Sequence, residues 1–156
     1  MKIVFSRKGF DSAAGGGPSP IVGGRPLSLP IPAGAASRTS YDALGLGDHA
    51  RRASRCLITG ADLCHHDPMF LEERDCLFGQ CGAAQTHLVN QGVGVGDVFV
   101  FFGLFREEAS GEPHHRIFGF MEVADIVDVR EAALPELVAV GHPHALAPHG
   151  SNDVVY

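Results

Sequence analysis

Residues 98–123 read VFVFFGLFREEASGEPHHRIFGFMEV, two apolar runs on either side of a polar stretch. The first run, Val98 to Phe105, is made of β-branched and aromatic residues around one glycine, the composition of a strand buried on both faces. Gly96-Asp97 supplies the turn that leads into it. The second run starts at Arg116 and continues through VADIVDV to Val129. Two long strands separated by a polar loop predict an antiparallel hairpin with a long tip.

Outward from the hairpin the signals are shorter. Lys2 to Phe5 reads as a buried first strand, followed by loop from Ser6 to Ile21. RPLSLPIP, Arg25 to Pro32, has too many prolines for a central strand and reads as an edge strand or an extended arm. A short helix is expected to begin at Thr39 or Ser40, with Asp42 in its first turn. Cys56–Thr59 suggests a short strand, and Pro68 opens one expected helical turn carrying Glu72 and Glu73. A clearer helix runs from about Cys81 to Asn90 and stops at Gly92. LPELVAV, residues 134–140, reads as a closing helix, then loop leads into the strand-like Val154-Val155-Tyr156. A strand at a chain end needs a partner. The chain is therefore expected to be one domain, residues 1–156, and either the N-terminal part of a longer protein or closed by a genuine last strand.

Composition narrows the function classes. At 156 residues, 45% hydrophobic and 19% charged, the chain can bury a substantial core. Its net charge of −6 argues against sequence-independent binding to nucleic acid, which needs a broad basic face. It leaves room for a local basic pocket. The first residues are too short for a signal peptide, and no apolar run reaches the ~20 residues of a membrane span. Four cysteines without a secretion signal read as reduced thiols. A cytoplasmic, bacterial-type protein with no membrane partner is expected.

Candidate functional residues fall in two segments. Ser6, Arg7, Lys8, Asp11 and Ser12 follow the first strand, and the glycine run including Gly16 permits close backbone approach. Backbone N–H groups with Arg and Lys form a phosphate cradle; the alternative is a solvated flexible loop. Neither a Walker loop nor a GxGxxG pattern is present, and no cofactor is expected. In the helix, Gln80, Gln85, His87, Asn90 and Gln91 offer amides and an imidazole that can read a base edge, or else plain surface polarity. His87 and Asp11 are a candidate acid–base pair. Asp97 reads as a turn-former and Glu122 as outward-facing. Arg51, Arg52 and Arg55 read as a solvated helix face or as phosphate contacts. No metal site is expected. Among Cys56, Cys64, Cys76 and Cys81 with His65 and His66, only Cys76 and Cys81 approach the pair spacing of a structural zinc site, and one pair cannot close it; His142, His144 and His149 offer a second possible cluster but read as loop.

Two resemblances add to this. The helix, GVGVGD, VFVFFG and IFGFMEVADIV together are similar to the core of PUA-like domains, above all the ASCH and EVE branches, with Gly96, Asp97, Gly119, Glu122 and Val123 at the matching places. KIVFSRKGFDSAAGGGPSPI, LSLPIP, FGQCGAAQTHLVNQGVGVGDVFVFFGLFR and HRIFGFMEV resemble the nucleotide modification associated domain 3 family over nearly the whole chain. The first resemblance implies an α+β fold, a small, mostly antiparallel β-barrel or bent sheet with two or three short flanking helices. The second implies work on altered bases or nucleotides. The expected function is binding of a nucleotide or a modified base in nucleic acid, in a pocket between the 6–20 loop and the 80–91 helix, with Phe10, Phe78 or Phe102 as stacking faces. Two alternatives stand beside it: a base- or nucleotide-modifying enzyme using His87 and Asp11, and a structural subunit completed by a further C-terminal segment or a partner chain.

Overall fold

A computed structural model describes residues 1–33, 37–70, 75–108, 111–130, 134–147 and 149–156. In chain order its strands are β1 (Ile3–Arg7), β2 (Ser19–Val22), β3 (Arg25–Pro26), β4 (Gly79–Gln80), β5 (Val98–Glu107), β6 (His114–Glu122), β7 (Val127–Asp128) and β8 (Val154–Val155). Its helices are α1 (Gly47–Ala53), α2 (Gly82–Asn90), α3 (Leu134–Ala139) and α4 (Pro143–Leu146), with a 3-10 turn at Asp42–Leu44.

The expected hairpin is the spine of the fold. β5 and β6 pair antiparallel from Val98 opposite Glu122 to Phe105 opposite His114. The register slips once: Phe101 faces Gly119 and Phe102 faces Ile117, so Phe118 is the extra residue of a β-bulge. On its other edge β5 takes two parallel partners in succession, β1 against Val98–Phe102 and β2 against Phe105–Glu107. Between them the chain leaves the sheet at Lys8, whose N–H still bonds the Phe102 carbonyl, and returns at Ser19. β3 closes the edge against β2, where its proline loses no ladder bond. A second, antiparallel sheet has the order β4-β8-β7, so the last strand lies between two others.

The described residues are thus a mixed α/β arrangement of two open sheets and four short helices, with no closed barrel. Strands with short flanking helices agree with expectation; neither sheet closes into the expected PUA-like barrel. β5 is buried on one face only. Phe99, Phe101 and Phe105 are fully buried, while the opposite face carries Ile3, Phe5, Ile117 and Phe120, each more than half exposed. β1, expected to be buried, is therefore an exposed strand. The Cys56–Thr59 segment forms turn and bend rather than strand, and the turn expected after Pro68 lies largely outside the described residues. α1 begins at Gly47, later than expected, and α4 forms inside the expected C-terminal loop. Asp97 is a turn residue whose carboxylate accepts the N–H groups of Lys2 and Gly94, and Glu122 is exposed. No helix among the described residues is long and apolar enough to cross a membrane.

Three buried clusters hold these parts. Phe78, Phe99, Phe101, Met121, Val123, Leu88 and Tyr156 join the hairpin to α2 and the second sheet. Phe10, Leu29, Tyr41, Ala50 and Cys64 anchor the 8–18 loop to α1. Val129, Leu137, Ala145 and Val155 seat α3 and α4 on β8. In the first cluster the Tyr156 hydroxyl donates to Gln85 Oε1 at 2.9 Å, inside the core. Phe78→Ala is expected to cost about 3–5 kcal/mol of stability. Tyr156→Phe should cost about 1–3 kcal/mol, because it leaves the Gln85 amide oxygen buried without a donor. Urea denaturation of the two variants checks both magnitudes and their order.

Candidate functional site

Asp67 is fully buried in the interior, and three segments converge on it. From the opening loop, Lys8 Nζ donates to Asp67 Oδ2 and also stands 4.5 Å above the centre of the Phe78 ring. His65, two residues before it, places Nε2 3.3 Å from Oδ1. From the far end of the chain, His142 Nε2 lies 3.7 Å from the same oxygen. α4 starts at Pro143, with the His142 ring accepting the N–H of His144, and this turn aims both imidazoles inward. His144 Nδ1 in turn lies 3.5 Å from Oδ1 of Asp153, which is also fully buried. The other Asp153 oxygen accepts the backbone N–H groups of His149 and Gly150. The rings of His65, His144 and His149 pack with centroids 4.7–5.3 Å apart.

β4 makes room for this packing. A Cβ on Gly79 would lie 2.2 Å from His144 Cδ2 and 2.8 Å from His142 Cε1, so only glycine lets the strand pass. Burial alone would raise the Asp67 carboxyl, but the Lys8 ammonium and the His65 and His142 imidazoles outweigh it and hold the group far below its ordinary range. Burial pushes His142 down to about 4, against the opposing pull of Asp67, and lowers His144 and His66 as well. The donor set can also hold a metal. The ligating atoms of His65, Asp67 and His144 lie within 4.8 Å of one another, and so do those of Cys81, His144 and Asp153.

Above the cluster opens a cavity of about 830 Å³. Arg7, Lys8, Asp11 and Gln80 line it, and so do His65, His66, Asp67, His144 and His149 at its floor. Phe70 and Phe118 supply aromatic wall. Phe118 is the bulge residue of β6. Phe70 has a φ of 57°, a left-handed conformation rare for a bulky side chain, and its ring fills the space a Cβ on Gly119 would need.

The opening loop and the start of the 80–91 segment therefore do meet across one cavity, through Arg7, Lys8, Asp11 and Gln80. The remaining expected residues are placed elsewhere. Ser6 lies in β1, Ser12 is exposed, and Gly16 donates its N–H to the Asp11 carbonyl; none lines the cavity. α2 turns Gln85 and Leu88 into the core, so His87 and Asn90 are exposed, as is Gln91 just beyond the helix. Asp11 is committed locally. Its Oδ1 accepts the N–H groups of Ala13 and Ala14 at 2.7 Å, and its Oδ2 pairs with Arg7 at 2.6 Å. Burial raises the Asp11 carboxyl, yet those hydrogen bonds and Arg7 bring it below its ordinary value. No hydrogen bond or ion pair joins Asp11 to His87 among the described residues, and His87 is not among the residues that line the cavity with Asp11. Phe10 and Phe78 are fully buried and, like Phe102, are not among the cavity residues. Arg51 pairs with Asp48 and Arg52 with Glu108 on the exposed face of α1.

A family model for nucleotide modification associated domain 3 matches residues 2–156. The chain belongs to that family. No curated protein and no solved structure matches it.

Sequence reasoning weighs His65 and His66 only as metal ligands and passes over Asp67, Phe70 and Phe118, all of which line the cavity. Two adjacent signals pointed there: HHD at 65–67 and HPH at 142–144. Neither shows by itself that the other is near. In chelator-treated protein Lys8→Met is expected to cost about 3–5 kcal/mol, because it strands a buried carboxylate. Adding Asp67→Asn should recover much of that loss. The double-mutant cycle, measured by urea denaturation, is expected to give a coupling well above the roughly 0.3–0.5 kcal/mol scatter of independent sites.

Proposed function

We propose that the cavity binds a nucleotide or a modified base presented by nucleic acid, with Arg7 and Lys8 on the phosphate side, Gln80 on a base edge, and Phe70 and Phe118 as stacking faces. The observation that carries this reading is the meeting of those five side chains around one 830 Å³ space. That volume falls within the roughly 300–1,000 Å³ of small-molecule sites. Membership of the family supports the same field of chemistry. The net charge of −6 fits a single pocket better than a long nucleic-acid track. A strained, half-exposed phenylalanine at the mouth is consistent with a platform held ready for a flat ligand. The enzyme reading through His87 and Asp11 gains no support from the geometry, since His87 is exposed on α2 and Asp11 is spent on its own turn and on Arg7.

A second reading rests on a different surface. Ile3, Phe5, Ile117 and Phe120 form an exposed apolar face on the main sheet, which suits burial against a partner chain.

The test of the first reading is a thermal-shift and calorimetric screen against nucleoside monophosphates and short single- and double-stranded oligonucleotides. Ligand at a hundred times its Kd should add about 2.7 kcal/mol of stability. Phe70→Ala is expected to weaken binding about 5- to 150-fold, the worth of one stacked base at 1–3 kcal/mol. Arg7→Ala should weaken phosphate-bearing ligands and spare the bare nucleosides. His87→Ala should bind as wild type does. Absence of a shift with every nucleotide and oligonucleotide overturns the reading.

A further inference from the structure

Asp67 Oδ1, His142 Nε2, His144 Nδ1 and Asp153 Oδ1 are buried side-chain atoms with no hydrogen-bond partner among the described residues. One such orphan costs about 1–3 kcal/mol, and native interiors hold few of them. Among them Asp67 Oδ1 is a candidate donor atom for a metal; His144 Nδ1 and Asp153 Oδ1 face each other at 3.5 Å, and His142 Nε2 stands 3.7 Å from Asp67 Oδ1.

We propose that His65, Asp67 and His144 hold one divalent first-row transition-metal ion at the floor of the cavity. The spacing fits. Metal–ligand bonds of about 2.0–2.2 Å place neighbouring donor atoms roughly 3–4 Å apart, and the ligating atoms of these three side chains already lie within 4.8 Å of one another. His65 Nε2 and Asp67 Oδ1 stand at 3.3 Å. Two imidazoles and one carboxylate suit zinc, iron or manganese, whereas calcium and magnesium favour all-oxygen shells.

The surroundings match what ligands of a metal require. Asp67 binds through Oδ1 because Oδ2 is held by Lys8, and ligating carboxylates are commonly fixed in this way. Lys8 therefore orients the ligand without occupying the donor oxygen. His144 has the buried Asp153 carboxylate 3.5 Å from Nδ1, placed as the outer partner of a ligating imidazole is. Gly79 leaves the space into which the His144 and His142 rings pack. Three protein ligands leave coordination positions free, and the same three residues line the cavity. This inference does not depend on what the cavity binds.

The probe is the metal alone. The chelator-stripped 156-residue chain is dialysed against Zn²⁺, Mn²⁺ or, anaerobically, Fe²⁺, and bound metal is counted by mass spectrometry. One ion per chain is expected for at least one of the three metals. X-ray absorption of the loaded protein should show imidazole nitrogen in the first shell, at about 2.0–2.1 Å for zinc. His65→Ala, at a half-buried position, and His144→Ala should each weaken binding beyond the roughly 10–100-fold that loss of an outer partner costs. His87→Ala should bind as wild type does. A wild-type chain that takes up none of the three ions, or an ion retained unchanged in both variants, overturns the proposal. Should circular dichroism show a variant unfolded, the wild-type absorption spectrum decides, and a first shell without imidazole overturns it. No nucleotide enters the assay, so this result and the nucleotide screen fail independently.

Discussion

A carboxylate in a protein interior must be paired or protonated, and the burial of Asp67 organises much of this molecule around that requirement. Lys8 arrives from the N-terminal loop, His65 from the same segment as Asp67, and His142 from near the C-terminus. Residues far apart in the chain are thereby fixed against one group. The small second sheet serves the same end: β8 lies between β4 and β7, which carries Asp153 inward and sets Gly79 beside the two histidines. Nothing in the short strands themselves demands that arrangement, since each pairs through only two residues. The side chains they position give it a reason.

The glycine- and proline-rich opening loop interrupts one edge of the sheet. β5 has ten residues, and its edge is shared between β1 and β2, both parallel to it. β1 and β2 run end to end along that edge in the same direction, Arg7 opposite Phe102 and Ser19 opposite Phe105, so the intervening segment, far longer than the gap it spans, swings out from the edge and comes back. It leaves at Lys8 and returns at Ser19. Phe10 packs edge-to-face on Tyr41 and anchors the excursion in its own small core. Arg7, the last residue of β1, and Asp11 in the loop then line the cavity. A loop with no anchor would leave Lys8 free to solvate instead of reaching a buried acid.

What the sequence reveals and conceals divides along periodicity. The β5–β6 hairpin, α2 with its stop at Gly92, and α3 show in local pattern because apolar spacing and turn chemistry are local properties. The two-sided burial expected of β5 fails because a run of valine and phenylalanine cannot tell a covered face from an exposed apolar one. β6 repeats the ambiguity, with Phe118 turned toward the cavity and Phe120 outward. The helix face of α2 is misread for a related reason: Gln85 looks like a base-reading amide, yet it is the buried partner of Tyr156. The Asp67 cluster is the least legible. Its members lie at 8, 65–67, 142–144 and 153, and ligand spacing along the chain carries no signal when each segment contributes one or two residues.

The cavity and the cluster beneath it make sense together. The floor is rich in imidazole and buried carboxylate, the walls are aromatic, and the cations at the rim are already paired, Arg7 with Asp11 and Lys8 with Asp67. A rim with free cations would attract any polyanion, whereas paired ones reward a ligand whose phosphate can compete at close range. On the proposed reading, selectivity then falls to the walls. Phe118 is re-aimed by a bulge, and Phe70 is held in a left-handed conformation with its ring on the bare backbone of Gly119. The bulge costs backbone regularity in the middle of an otherwise ordinary hairpin, and the left-handed Phe70 costs it in the segment packed on that hairpin. Such irregularity is concentrated where two rings face one space, which is where a flat ligand would be gripped.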